Sequence, residues 1–107
     1  MSKAIDDVVN ERTRQKHVEQ WSTKHDDSHT DGSLAAAGAC YALFASCSDS
    51  TREADCHGRE DVLHFPLIRL LWPRSWSMEW WKPKDRRRDL VRAAALLIAE
   101  IERLDRL

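Results

Sequence analysis

Five residues within a seven-residue stretch, His25, Asp26, Asp27, His29 and Asp31, bring imidazole and carboxylate donors close enough to hold a divalent metal ion such as magnesium. His25, Asp26, Asp27 and His29 are the candidate ligands. The surrounding residues 22–33 are rich in Asp, Ser and Thr, which also cap helices and close turns, so hydrogen bonding within a loop competes with the metal reading. A second constellation places Lys82, Lys84, Arg86, Arg87 and Arg88, five cations in seven residues, at the start of a predicted helix. First-turn N–H groups and the positive end of the helix dipole suit a phosphate there. Cations at that helix end oppose the dipole, and an anionic ligand would relieve the conflict. The competing reading is internal neutralisation by Asp85, Asp89 and the acids of the 26–31 stretch. The third constellation is Trp72, Trp76, Trp80 and Trp81. Most of these rings are expected to fill a core, leaving Trp80 or Trp81 to stack a nucleobase beside the phosphate. Trp21 is expected to seat the acidic loop.

The elements that must position these groups are helical. Leu90, Ala94, Leu97, Ile101 and Leu104 recur at i, i+4, i+7, i+11 and i+14, with Val91 and Ile98 widening the stripe, and predict a long C-terminal helix that buries this face. Asp89, Arg92, Glu100 and Arg103 fall on the opposite face, expected in solvent, and Glu102 and Arg106 form an i, i+4 pair. Asp85 is placed to cap the helix, and Pro83 discourages an earlier start, so it begins near 85 or 86. Residues 4–20 predict a first helix with Ile5, Val8, Val9 and Val18 on its apolar stripe and Glu11, Arg12, Arg14, Gln15 and Glu19 around it. Residues 34–46 predict a second, whose small residues around Gly38 permit close approach to the C-terminal helix. From 47 to 58 the polar, aperiodic composition reads as a linker, and Pro66 divides the apolar run 61–72. The expected fold is all-α: a single domain over 1–107, a small helical bundle of about three main helices, with an irregular Trp/Pro-rich segment before the long C-terminal helix and a variable or mobile insert at 47–71. An apolar face that three helices leave uncovered would favour a homodimer.

Composition narrows the function classes. A formal net charge of −1 in 107 residues gives no bulk electrostatic argument for extended nucleic acid. Cys40, Cys47 and Cys56 are an odd number without a CxxC pair, which fits a reducing cytosol and not a disulfide framework. No run has the apolar length of a signal peptide core or a membrane span, so a cytoplasmic location is expected, with no membrane partner.

Three motifs carry a resemblance. Glu11, Arg12, Arg14 and Gln15 form an ERxRQ start; residues 21–42 follow, loosely, WxxxHDDxHxxGxLAxAAxxYA; and residues 80–106 read WWKPKDRRRDLVRAAALLIAEIERLDR. Together they resemble a family of short proteins encoded by phages and prophages. The likeness covers 11–42 and 72–106, leaves 43–71 as the divergent part, and departs from the pattern at Lys24 and Gly38. It implies a phage accessory protein acting in the host bacterium, a setting of counter-defence and nucleotide-handling proteins.

The expected function is therefore binding of a nucleotide or another phosphorylated small molecule at Lys82, Lys84, Arg86, Arg87 and Arg88 with Trp80 and Trp81, or docking on a host defence protein. The catalytic alternative is a magnesium-dependent nucleotide pyrophosphohydrolase similar to MazG-like proteins. Those enzymes use ExxE and ExxD pairs, whereas this chain offers Glu11 with Gln15 and Glu19, the HDD stretch, and Asp85 with Asp89. A purely structural interaction protein is the third reading.

Overall fold

A computed structural model of the chain describes residues 2–17, 26–28, 30–56, 68 and 70–107, with the backbone alone at 54–56 and 78. Among them are four α-helices and no strand: α1 (Lys3–His17), α2 (Ser33–Ala45), α3 (Asp49–Cys56) and α4 (Arg86–Asp105), with a 3-10 turn at Met78–Trp80. The fold is all-α, as the sequence predicts. Helix α4 packs against both α2 and α1 and is the element through which they are joined.

Local chemistry sets the helix starts. Asp85 caps α4, its carboxylate accepting from Arg88 N–H at 2.8 Å. Gly32 precedes α2 at φ 79°, a left-handed conformation that a Cβ disfavours. Ser48 serves α3 by accepting from Thr51 N–H through its hydroxyl at 3.3 Å and from Arg52 N–H through its carbonyl at 2.9 Å. The linker expected at 47–58 is thus a helix over most of its length. Its Ser and Asp residues begin a helix instead of preventing one, because the same side chains serve turns and caps.

The core lies between α2, α4 and the tryptophan segment: Leu34, Ala37, Cys40, Tyr41 and Phe44 from α2, Ala93, Leu96 and Ala99 from α4, and Ile68, Trp72 and Trp76. Trp72 meets Tyr41, Trp76 and Trp81 edge-on at 5.4–6.1 Å between ring centres, a geometry the ring quadrupoles favour. Gly38 allows α2 its close approach to α4: a Cβ there would stand 3.2 Å from the Ala93 carbonyl oxygen and 3.3 Å from Leu97.

Helices α4 and α1 turn the predicted faces around. On α4 the buried positions include Asp89, Arg92 and Arg103 beside Val91, Ala93, Ala95, Leu96 and Ala99, while Leu90, Leu97, Ile101 and Leu104 are 42–57 % exposed. On α1 the buried residues are Glu11, Arg12 and Gln15, and Ile5 and Val9 are half exposed. The expectation that the leucine stripe is buried and the charged face solvated is overturned. The buried charges are tolerable because they are paired. Asp89 accepts from Arg52 at 2.8 Å and from Lys84 N–H at 2.8 Å, and Arg52 also donates to the carbonyls of Phe44 and Lys84. Asp26 accepts from Arg12 at 2.5 Å, whose Nε reaches Glu102 at 3.0 Å. Removing these side chains from water is compensated by charge-assisted hydrogen bonds, an arrangement that helical periodicity cannot reveal.

Candidate functional site

Of the residues singled out for chemistry, Trp72, Trp76, Trp80, Lys82, Arg87 and Arg88 line a cleft between α1, the N-terminal end of α4 and the tryptophan segment. Two hollows adjoin there, sharing Glu11 and Arg14 in their walls. The inner one holds about 40 Å³ and is walled by Tyr41, Trp72, Trp76 and Trp80, with Gln15 and Arg92 among its polar groups. The outer one holds about 300 Å³ and is lined by Arg14, Arg87 and Arg88 against Asp7, Glu11 and Asp85.

Tyr41 builds the inner hollow. Its hydroxyl donates to the Trp80 carbonyl and accepts from Lys82 N–H, both at 3.1 Å, fixing the irregular chain where the aromatic run becomes basic. Burial pushes the Tyr41 pKa up, the Lys82 N–H and the nearby Arg92 partly opposing it. Arg92 donates to the Lys82 carbonyl. Two buried polar atoms beside this hollow, Gln15 Oε1 and Arg92 Nε, have no hydrogen-bond partner among the described residues. A buried acceptor and a buried donor left this way each carry a desolvation cost of about 1–3 kcal/mol, which water or a ligand group would relieve.

Glu11 sits at the junction of the two hollows. It receives both Arg14 Nε and a terminal nitrogen of Arg14 at 2.8 and 2.9 Å, Gln15 at 3.2 Å, and Arg88. Burial favours its neutral form, but the bonds and charges of Arg14 and Arg88 prevail and hold its pKa below the usual glutamate value.

The five-cation cluster is dispersed. Arg86 donates to the carbonyls of Ala45 and Cys47 and to Asp49, Arg87 pairs with Asp7 at 2.9 Å, and Arg88 pairs with Glu11. Internal neutralisation does occur, through Asp7, Glu11 and Asp49, acids that sequence reasoning did not connect with the cluster. Asp89 instead pairs with Arg52, and Asp85 occupies the helix end as its cap, its carboxyl held below the usual range by the Arg88 N–H. Arg87 and its partner Asp7 remain 53 % and 31 % exposed, and a pair so open to solvent is worth about 1 kcal/mol or less. Lys82 and Lys84 are exposed, and Trp80 is 40 % exposed with its ring edge-on to Trp76. Trp81 packs against Tyr41, Phe44 and Trp72, and of the two stacking candidates Trp80 is the more exposed.

The metal constellation is only partly in view. His25, His29 and Trp21 lie outside the described residues. Asp26 is fully buried against Arg12, and Asp27 accepts from Arg106 at 2.7 Å. These two carboxylates are directed at guanidinium groups and tie α1 to the far end of α4. Among the described residues no three of His, Cys, Asp and Glu gather in a way that could hold a metal ion, and no helix is long and apolar enough to cross a membrane. No family model, curated protein or solved structure matches the chain.

Proposed function

We propose that the protein is a small binding protein for a phosphorylated, ring-bearing ligand of nucleotide type, captured in the cleft between α1 and α4. The observation that carries this reading is the adjacency of the two hollows. The outer one offers Arg87 to an anion, and Glu11 and Arg14, common to both walls, join it to the aromatic hollow. Arg87 can exchange Asp7 for a phosphate at little cost, since the pair it leaves is weak. The ring rests on the exposed face of Trp80, and the small inner hollow admits one polar edge of the ligand to Gln15 Oε1 and Arg92 Nε. Binding is favoured over hydrolysis because the buried carboxylates Glu11, Asp26 and Asp89 are each held by arginine, whereas metal-assisted attack on a phosphate needs carboxylates presented to a cation. On the resemblance to phage-encoded proteins, such capture in the host cytoplasm would serve counter-defence, withdrawing a signalling or metabolic nucleotide.

The test is a thermal-shift and calorimetric screen against inorganic phosphate and nucleoside mono-, di- and triphosphates, linear and cyclic, with the recovered ligand analysed by chromatography. The expected result is a nucleotide that raises the melting temperature, comes back intact, and loses its effect in Arg87→Ala and in Trp80→Ala. Arg87 is exposed and Trp80 partly so, and circular dichroism checks that each variant keeps its helices. A shift that survives both substitutions, or no shift with any compound, overturns the proposal; a cleaved ligand transfers the same cleft to catalysis.

A further inference from the structure

The uncovered stripe on α4 has a stricter pattern than an amphipathic helix requires. Leu90, Ala94, Leu97, Ile101 and Leu104 are spaced four, three, four and three residues apart, the alternation of a two-helix coiled-coil seam. A stripe of that kind fits a helix with the same stripe. Beside it Ile5 and Val9 of α1 are half exposed, and Ala4, Ile5, Val8, Val9 and Ile98 line a hollow of about 240 Å³ with no charged side chain among them. A contiguous apolar surface of this kind is often an interaction site. Covering it on two copies would bury on the order of 1,000 Å² in total, the threshold for a specific interface.

We infer that this face is the contact between two copies of the chain, with the two α4 helices packed antiparallel about a two-fold axis near their middle. Charge selects the direction. Arg87 and Asp105 lie at opposite ends of the same flank of the stripe, eighteen residues and therefore five turns apart. In an antiparallel pair like flanks meet, which brings the partner's Asp105 near Arg87 at both ends of the seam, close enough to steer the approach while Arg87 keeps its pair with Asp7, and the two helix dipoles oppose favourably. A parallel pair would instead align equal charges end with end. In the antiparallel register Leu90 packs on the partner's Ile101 and Ala94 on the partner's Leu97, so the small side chain at 94 is met by a large one. The α1 helices, which lie on the flank of Arg87 and Ile98, come to the same side of the seam, where Ile5 and Val9 extend it. Ile101 and Leu104 make no contribution to the core described above, so the stripe is free to serve association.

The experiment is light scattering on the full chain at micromolar concentration, with cysteine crosslinking to read direction. The expected mass is twice the 12.4 kDa of one chain, falling to a single chain in Ile101→Glu while the helical circular dichroism is kept. In a Cys56→Ser background, Leu90→Cys combined with Ile101→Cys is expected to give a disulfide-linked dimer on oxidation, whereas Leu90→Cys alone is not. Within one chain these two positions are about 16 Å apart along the helix, too far for an internal bridge. A monomer mass for the unaltered protein overturns the proposal and assigns the face to a partner of different sequence. A dimer indifferent to Ile101→Glu places the interface elsewhere, and efficient crosslinking by Leu90→Cys alone overturns the antiparallel arrangement.

Discussion

Arg52 and Asp89, 37 residues apart in sequence, form a buried ion pair at 2.8 Å in which Asp89 is wholly shielded from solvent and the Arg52 side chain is 10 % exposed. The same guanidinium lies 4.4 Å over the Phe44 ring and donates to the carbonyls of Phe44 and Lys84. One side chain of α3 thereby joins the end of α2, the chain leading out of the tryptophan segment and the first turn of α4. Removing its counter-charge should be costly, because a buried guanidinium would be left without a carboxylate. Asp89→Asn is expected to lower stability by about 3–5 kcal/mol, read as a shift in the urea midpoint. Asp49→Ala, which removes the exposed partner of Arg86, is expected to cost less than about 1 kcal/mol; equal losses in the two variants would contradict this picture.

Glu11 gives the protein an acid-sensitive point. Its folded pKa lies below the ordinary glutamate value through Arg14 and Arg88, so the unfolded chain binds the proton more readily. The stability it contributes is complete above the ordinary glutamate range and is lost as the pH falls through the lowered folded value. Melting temperatures measured from neutral to acid pH should decline more steeply in the unaltered protein than in Glu11→Gln, and parallel curves would refute the assignment.

How much of this could be seen in the sequence differs by the range of the interaction. The Asp85 cap, the start of α4 and the meeting of Gly38 with α4 were legible, because each depends on residues a few positions apart or on side-chain size alone. The burial of Glu11, Arg12, Asp89 and Arg92 was not, since helical periodicity identifies two faces and only the partners decide which turns inward. Those partners, Arg88 for Glu11 and Arg52 for Asp89, lie 77 and 37 residues away. The α3 helix was missed for a local reason, the double use of Ser48 and Asp49 as turn formers and as helix starters. The basic cluster was recognised as a group, but its dispersal onto Asp7, Glu11 and Asp49 needed the fold.

Cys40 and Cys47 are expected to be quiet. Cys40 is completely buried, its thiol pushed up to about 11 by burial, and Cys47 is buried as well. A thiol reagent applied to the native protein near neutral pH should leave both unmodified and reach them only on addition of denaturant. Mass spectrometry locates the label, and native labelling of Cys40 would show that the α2 core opens readily.

The contact at Gly38 sets the spacing of α2 and α4. Gly38→Ala trades a gain in helix propensity of about 1 kcal/mol against a crowded approach to the rigid Ala93 carbonyl. Gly38→Leu has no such balance and is expected to destabilise by about 1–3 kcal/mol or more as the helices are forced apart. Thermal denaturation followed by circular dichroism checks it, and an unchanged melting temperature would mean that α2 and α4 are less closely fitted.

A chain that turns Glu11, Arg12, Gln15, Asp89, Arg92 and Arg103 inward and leaves leucines outside unfolds with an unusual thermal signature. Exposing polar groups to water lowers the heat capacity while exposing apolar groups raises it. Calorimetry of the isolated chain is therefore expected to give a small heat-capacity increment of unfolding for its length and a flattened stability curve.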